Sequence, residues 1–142
     1  MEKKTLRSEI IQFAADQYGT QPEHLWAKYP NYVVLRNNSG KWYAIIMDVP
    51  REKLGISGDV SVDVIDLKIE PLLAGSLRMG MGFLPAYHMN KEKWITVLLD
   101  GTVDKAQIMD LLNMSYELTT HTKHIKSSQN PSNVTIGWDV LK

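Results

Sequence analysis

The sequence predicts an α+β domain in which an antiparallel sheet carries helices packed mainly on one face, a two-layer arrangement. The order of the elements carries this prediction, because the chain reads helix, hairpin, strand, short helix, strand and helix. Its length of 142 residues suits a single domain. A chain of this size buries roughly 68–70% of its unfolded surface, so we expect a core that is stable without disulfides.

The first third of the chain predicts a helix and a β-hairpin. Four apolar residues fall at helical spacing, namely Leu6, Ile10, Phe13 and Ala14. We expect this helix to cover residues 5–18 and to end at Gly19. Two β-rich segments follow, at 32–36 and 41–49. Residues 37–40, Asn-Asn-Ser-Gly, are typical of a hairpin turn between them, because Asn and Gly tolerate positive φ.

The middle of the chain predicts two further strands and a short helix. Valines alternate with polar residues over 60–64, which predicts a strand with one side facing solvent. A short helix is expected over 69–77, where a proline falls in its first turn. Residues 80–85 contain glycines and a proline and predict an irregular loop. The near-continuous apolar run 94–99 is the strongest strand of the sequence.

A final helix and a tail of different composition complete the chain. We expect the helix to run from Asp104 into the 119–124 region. The composition then shifts to Ser, Gln, Asn and Pro, which predicts a flexible link, and a short β-rich run follows. We therefore expect one domain over 1–126 and a tail over 127–142. An extra strand and disorder are the two alternatives for the end of that tail.

Composition excludes several classes of protein. Lysine plus arginine and aspartate plus glutamate each number 16, so the formal net charge is zero. This balance counts against avid non-specific binding of nucleic acid, although it is compatible with a local basic face. The chain has no cysteine, which removes disulfides, thiolate nucleophiles and cysteine metal sites. Because it shows no apolar signal core and no membrane-spanning run, we expect a cytoplasmic protein without a membrane partner.

One segment points to a family. Residues 88–100 run from a polar turn, His-Met-Asn-Lys-Glu-Lys, into an apolar strand, Trp-Ile-Thr-Val-Leu-Leu, that ends at Asp100 and Gly101. This order resembles the signature of the MmcQ/YjbR family. Positions further on are also similar to that family, namely Asp104, Gln107, Ile108, Leu111, Leu112, Ser115 and Tyr116. The resemblance covers residues 10–118 and implies a CyaY-like fold in a bacterial protein. DNA binding is the activity usually proposed for such proteins, from the shape of the fold.

Basic residues beside predicted turns are the candidate DNA contacts. The resemblance implies that hairpins act as wings, which would place cations near phosphates. Five residues are candidate phosphate contacts, namely Arg36, Lys41, Arg78, Lys91 and Lys93. Each of them taken alone is more simply a solvated charge. Binding of double-stranded DNA therefore requires that these side chains share one face of the molecule.

Two other functions stay open. Residues 78–83 carry methionines and a phenylalanine in a glycine-containing loop, which suits contact with a protein partner. His88 is a candidate centre for a small-ligand or enzymatic site, with a hydrogen bond to the backbone as the structural alternative. The partner or ligand candidates are His88, Met79, Met81, Phe83 and Tyr87. We expect Asn90 to cap a turn and Trp94 to enter the core.

The sequence predicts no catalytic residue, no metal site and no cofactor. The glycines of residues 78–83 lack the third glycine and the following lysine of a nucleotide-binding loop. His121 and His124 lie one helical turn apart, but neighbouring lysines would repel a cation. Cationic side chains near a helix C-terminus are favoured by the macrodipole, which explains them more simply. Residues distant in sequence can converge, so an enzyme stays an alternative.

The acidic residues between 59 and 70 are expected to be structural. Asp63 and Asp66 are predicted to face solvent from the third strand. Frataxins, which share the CyaY-like fold, bind iron through acidic residues on their first helix. Here the first helix carries Lys3, Lys4 and Arg7, so frataxin-like iron binding is not expected.

Overall fold

The computed structural model describes residues 5–120 and shows an antiparallel sheet with helices on one side. The elements are α1 (Leu6–Tyr18), β1 (Val33–Arg36), β2 (Trp42–Pro50), the 3₁₀ helix η1 (Arg51–Leu54), β3 (Ser61–Lys68), α2 (Pro71–Leu77), β4 (Phe83–Pro85), β5 (Trp94–Leu98) and α3 (Lys105–Thr120). The five strands are ordered β1-β2-β3-β5-β4 and every neighbouring pair is antiparallel. The predicted two-layer α+β fold is confirmed.

The first helix begins and ends where its sequence predicts. Thr5 Oγ1 accepts a hydrogen bond from the Ser8 backbone N–H at 3.1 Å, which caps the N-terminus. Gly19 adopts a φ of 70° and its N–H bonds back to the last turn. A residue without a Cβ enters this left-handed conformation at little cost, so the helix stops there.

The hairpin turn is held by Asn37. Its Oδ1 accepts hydrogen bonds from the backbone N–H groups of Ser39 at 2.9 Å and Lys41 at 3.2 Å. Beyond the turn, Arg36 pairs with Trp42, which leaves Tyr43 as an extra residue in a bulge before the regular register resumes. The predicted hairpin is therefore present, with an irregularity that the residue pattern did not indicate.

The two faces of the sheet are covered differently. The helix-covered face packs against α1 and α3, and its buried residues include Leu35, Ile46, Ile65, Leu67, Ile95 and Val97 from the strands and Ile10, Ile108 and Leu112 from the helices. The loop-covered face packs against segments 20–32 and 84–93, and its buried residues include Val34, Ile45, Met47, Val64 and Leu98 from the strands and Trp26, Tyr32, Ala86 and Met89 from the segments. Neither face of the central strands is open to solvent.

Two expectations about local structure are wrong. Asp66 was expected to face solvent, yet it is 0% exposed, because the loop segments cover the second face of β3. Asp63 is half-buried and forms an ion pair with Arg7 at 3.1 Å. Residues 83–85, expected to be irregular, form β4 at the edge beside β5. This strand has three residues and directly follows a glycine-containing turn, so the residue pattern did not predict it.

Several predictions fall on residues outside the described range. These concern the helix beyond Thr120, the pair His121 and His124, and the division between a domain ending at 126 and a tail over 127–142. Within residues 5–120, no helix combines the length and apolar character needed to cross a membrane.

Candidate functional site

Three lysines meet at one end of the sheet. Lys41 follows the hairpin turn, Lys68 ends β3, and Lys93 immediately precedes β5. Strand register brings the last two together, because Lys68 pairs with Trp94 and the Ile69 N–H bonds to the Lys93 carbonyl at 2.8 Å. We refer to Lys41, Lys68 and Lys93 as the lysine end.

The charges of Lys41 and Lys93 act on Lys68. Burial lowers the pKa of Lys68, and the charges of Lys93 and Lys41 lower it further. Like charges disfavour each other's ionised form, so an anion placed among them would remove a repulsion as well as gain an attraction. Lys68 was not among the sequence candidates. Its position at the end of β3, opposite the segment that contains Lys93, is known only once the strand register is known.

The backbone beneath the lysine end is fixed from the helix side. Ser115 Oγ accepts a hydrogen bond from the Lys68 N–H at 2.9 Å and donates one to the Tyr43 carbonyl at 2.6 Å. The serine thus bridges β2 and β3 just beyond Ala44 and Leu67, the last pair of their register. Thr119 Oγ1 accepts from the Asn37 side chain at 2.6 Å, which ties the hairpin to α3.

Arg36 has its charge matched within the protein. Its Nε and Nη2 atoms donate to the Glu23 carboxylate at 3.0 and 3.1 Å, a bidentate pair. Glu23 in turn bridges to Val34 of β1 through the backbone. Although Arg36 lies at the same end of the sheet as Lys41, its guanidinium is already held by a carboxylate.

Arg78 and Lys91 brace the turn before β5. Arg78 Nη1 donates to the Lys91 carbonyl at 3.0 Å, and Lys91 Nζ donates to the Ala86 carbonyl at 3.0 Å. Asn90 Oδ1 accepts from the Glu92 N–H at 2.8 Å. The capping role expected for Asn90 and the burial expected for Trp94 are therefore confirmed.

His88 lies in a cleft on the loop-covered side of the molecule. Its φ is 65°, and it is the one non-glycine residue with positive φ among residues 5–120. Its ring centroid lies 4.0 Å from that of Tyr87. Burial lowers the pKa of His88, as do the charges of Lys53 and Lys91. Both effects favour the neutral form of the imidazole.

A buried carboxyl group lies behind this cleft. Thr96 Oγ1 donates a hydrogen bond to Asp66 Oδ1 and accepts one from the Tyr87 N–H at 2.8 Å. Burial raises the pKa of Asp66 well above its ordinary value, against the opposing effects of Thr96 and Lys91. No hydrogen bond to Asp66 Oδ2 is found within the part of the chain that the structure describes. Sequence reasoning missed this group, because alternation alone assigned it to solvent.

The apolar candidates separate into two kinds. Met79 is 89% exposed and Met81 is 84% exposed, and Leu72 of α2 is also exposed, at 92%. Phe83 packs in the core beneath the helices, so its side chain is not on the surface. Tyr87 is half-buried against His88. Among residues 5–120, no three histidine, aspartate or glutamate side chains are grouped so that they could hold a metal ion.

Comparison with known proteins places these features in a family. A family model described as YjbR matches residues 15–118. The uncharacterized protein YyaQ of Bacillus subtilis is 43% identical over 114 residues, which make up 80% of this chain and 97% of that protein. The uncharacterized protein YjbR of Escherichia coli K12 is 41% identical over 54 residues, which make up 37% of this chain and 46% of that protein.

Solved structures agree with this assignment. A crystal structure of a Pseudomonas syringae protein has a TM-score of 0.77 and 53% identity, covering 80% of this chain and 97% of that one. A Deinococcus radiodurans protein has a TM-score of 0.64 and 23% identity, covering 94% and 88% of the two chains, and shows the fold alone. Because the family model spans most of the chain and YyaQ matches over nearly its whole length, the chain belongs to the YjbR family.

Proposed function

We propose that the protein binds the phosphate backbone of double-stranded DNA through the lysine end. The observation that carries the proposal is the convergence of Lys41, Lys68 and Lys93 from three separate parts of the chain. The charges that depress the pKa of Lys68 are those of the other two lysines. A cluster of this kind is an electrostatic footprint for a polyanion, even in a chain with zero net charge.

The chemistry of the cluster favours phosphates over base edges. Lysine presents a compact charge on a flexible stem, whereas base recognition relies on planar, bidentate groups. The bidentate group at this end, Arg36, is held by Glu23. Arg78, which follows α2, donates to the Lys91 carbonyl, and Lys91 Nζ donates to the Ala86 carbonyl, so both side chains make contacts outside the lysine end. We therefore expect binding that depends strongly on salt and weakly on sequence.

Fluorescence anisotropy of a labelled duplex, measured from low to physiological salt, tests this proposal. The variants are Lys41→Gln and Lys93→Gln, with Lys105→Gln as the matched control. Lys105 lies at the start of α3, where it pairs with Glu9 at 3.3 Å. For each lysine-end variant, the slope of log affinity against log salt should become shallower by about 0.9, the value for one lost phosphate contact. Lys105→Gln should match the wild type.

Two results would refute DNA binding at this site. One is the absence of any anisotropy change at low salt. The other is an equal loss of affinity in Lys105→Gln and Lys93→Gln, which would mean that only overall charge matters. Circular dichroism of each variant checks that the fold is retained.

The exposed apolar side chains support a second candidate function, contact with a protein partner. Leu72, Met79 and Met81 are each more than four-fifths exposed and lie close together in sequence on α2 and the turn after it. Water-exposed methionines adapt readily to a partner surface. Affinity capture with the wild type and with a Met79→Gln/Met81→Gln variant tests this alternative. A protein captured by the first and lost with the second would support it, and equal capture would count against it.

A further inference from the structure

A cleft separates η1 from the segment that leads out of β4. Lys53 and Leu54 line one side, and residues 84–88 together with Lys91 line the other. Its volume is about 400 Å³, and small-molecule sites typically have volumes of roughly 300–1,000 Å³. The cleft therefore has room for a compact organic molecule. None of the three residues of the lysine end lines the cleft.

The ionisable groups along the cleft are basic or neutral. Lys53 and Lys91 supply two ammonium groups, while His88 and the Tyr87 phenol supply neutral polar groups. No acidic residue is among the described residues that line the cleft. The nearest buried carboxyl, Asp66, has a raised pKa, so it neutralises the cations less than an ionised carboxylate would. The positive potential in the cleft therefore remains available to an anion.

The remaining lining is apolar. Leu54, Leu84, Pro85 and Ala86 supply this surface. A ligand that satisfies both parts of the lining has an anionic group at the lysines and an apolar body against these side chains. An inorganic anion would contact the lysines and leave the apolar side chains without a partner.

The wall of the cleft is held in place before any ligand arrives. The Tyr87 N–H bonds to Thr96 at 2.8 Å, and Lys91 Nζ bonds to the Ala86 carbonyl at 3.0 Å. The latter bond uses one of the three donors of Lys91 and leaves the others available. His88 has a left-handed backbone conformation, which residues with a side chain adopt at a cost that the surrounding structure must offset. Such preorganisation lowers the entropy lost on binding.

We propose that this cleft binds a small organic anion, namely a carboxylate or phosphate group on a compact apolar body, with Lys53, His88 and Lys91 around the anionic group. The proposal goes beyond DNA binding and does not depend on it. The two sites use different lysines, so each can fail without the other.

Titration with phenyl phosphate and with benzoate, followed by NMR of the His88 ring, tests the proposal on the full chain. Benzyl alcohol serves as the neutral probe of the same shape, and a His88→Gln variant assigns the His88 resonance. We expect a saturable shift with at least one of the two anions, and a rise in the pKa of His88 when that anion is bound. The anion that saturates identifies the preferred head group.

Two matched variants locate the site. Lys53→Gln should weaken binding about tenfold, because it removes one charge-assisted contact, and Lys93→Gln at the lysine end should leave it unchanged. The proposal is overturned if neither anion gives a saturable shift, if benzyl alcohol gives the same shift, or if Lys53→Gln binds as tightly as the wild type. Loss of DNA binding in Lys93→Gln with unchanged phenyl phosphate binding would show that the two sites are separate.

Discussion

The helix-covered and loop-covered faces of the sheet bury different chemistry. Beneath α1 and α3 the strand residues are mostly apolar, with Tyr43 hydrogen-bonded to Thr20 and the half-buried Asp63 paired with Arg7. The buried hydroxyls of α3 bond to the backbone or to Asn37. On the other face, the Asp66 carboxyl and Thr96 are buried under loop segments that carry Tyr32 and Tyr87. Lys68 lies two residues after Asp66 and so on the same face. Among residues 5–120, the one fully buried carboxyl therefore lies on the loop-covered face.

The buried Asp66 lowers the stability of the loop-covered face. A buried carboxyl with one unsatisfied oxygen costs stability that an apolar residue at the same place would not. Among residues 5–120, the helix-covered face has no buried carboxyl, and the phenol of its buried Tyr43 donates a hydrogen bond to Thr20 at 2.7 Å. The cleft adjoins this buried carboxyl through Tyr87, whose N–H bonds to Thr96, and such a departure from a local rule is expected near functional sites.

The largest expected effect is on the helix-covered face. Leu112 is fully buried in the core there, so Leu112→Ala should lower the free energy of unfolding by about 2–5 kcal/mol through the cavity it leaves. Chemical denaturation measures this change. Met114→Ala, on an exposed part of the same helix, is the control and should change stability by less than about 0.5 kcal/mol. Folded Leu112→Ala protein should bind DNA like the wild type. Weaker binding by an equally folded variant would show that the helix-side core contributes to DNA binding.

The next effect concerns Asp66 and depends on pH. Between the ordinary pKa of 3.8 and the raised folded-state pKa, the native protein keeps a proton that the unfolded chain releases. Wild-type stability should therefore fall as pH rises through this window, by up to about 1.4 kcal/mol per pH unit, and level off above it. Asp66→Asn, which mimics the protonated group, should lack this contribution.

Denaturation of the wild type and Asp66→Asn at a series of pH values checks this expectation. The stability of the variant relative to the wild type should increase with pH from 3.8 upward and then stay constant. A difference that does not change with pH would mean that Asp66 has an ordinary pKa. The loop-covered face would then lack the buried ionisable group that distinguishes it.

The smallest effect concerns the backbone at His88. Because its φ is 65°, glycine should be tolerated there better than alanine. His88→Gly should be more stable than His88→Ala by about 1 kcal/mol, since both variants lose the same ring and differ only in the Cβ. Thermal or chemical denaturation of the pair isolates the strain. Equal stabilities would show that the left-handed conformation is not enforced by the fold.

The sequence predicted those helices, strands and turns that depend on residues close to one another in the chain. The helix from Leu6, the hairpin around Asn37 and the strand from Trp94 follow from spacing, capping and turn residues that act within a few positions. The two-layer fold follows from their order. The family resemblance, carried by the segment from His88 to Gly101, is confirmed by the family match.

The features that escaped prediction depend on contacts between distant segments. Asp66 is buried because residues 20–32 and 84–93 cover its face, and nothing in the alternation of β3 indicates that cover. The register between β3 and β5 brings Lys68 close to Lys93, and the pairing of β2 with β3 brings Lys41 to the same end of the sheet. The pairing of Arg36 with Glu23 likewise requires the chain before β1 to return along it. The roles of the five basic candidates in binding DNA remain predictions.

Titration of ¹⁵N-labelled protein with duplex DNA at low salt, followed residue by residue, tests the central claim most directly. DNA is expected to bind at the lysine end of the sheet and not along the solvent-facing sides of α1 and α3. We expect chemical-shift changes concentrated around residues 41, 68 and 93, and few along the solvent-facing sides of α1 and α3. Changes concentrated on those two helices, or none at any DNA concentration, would contradict it.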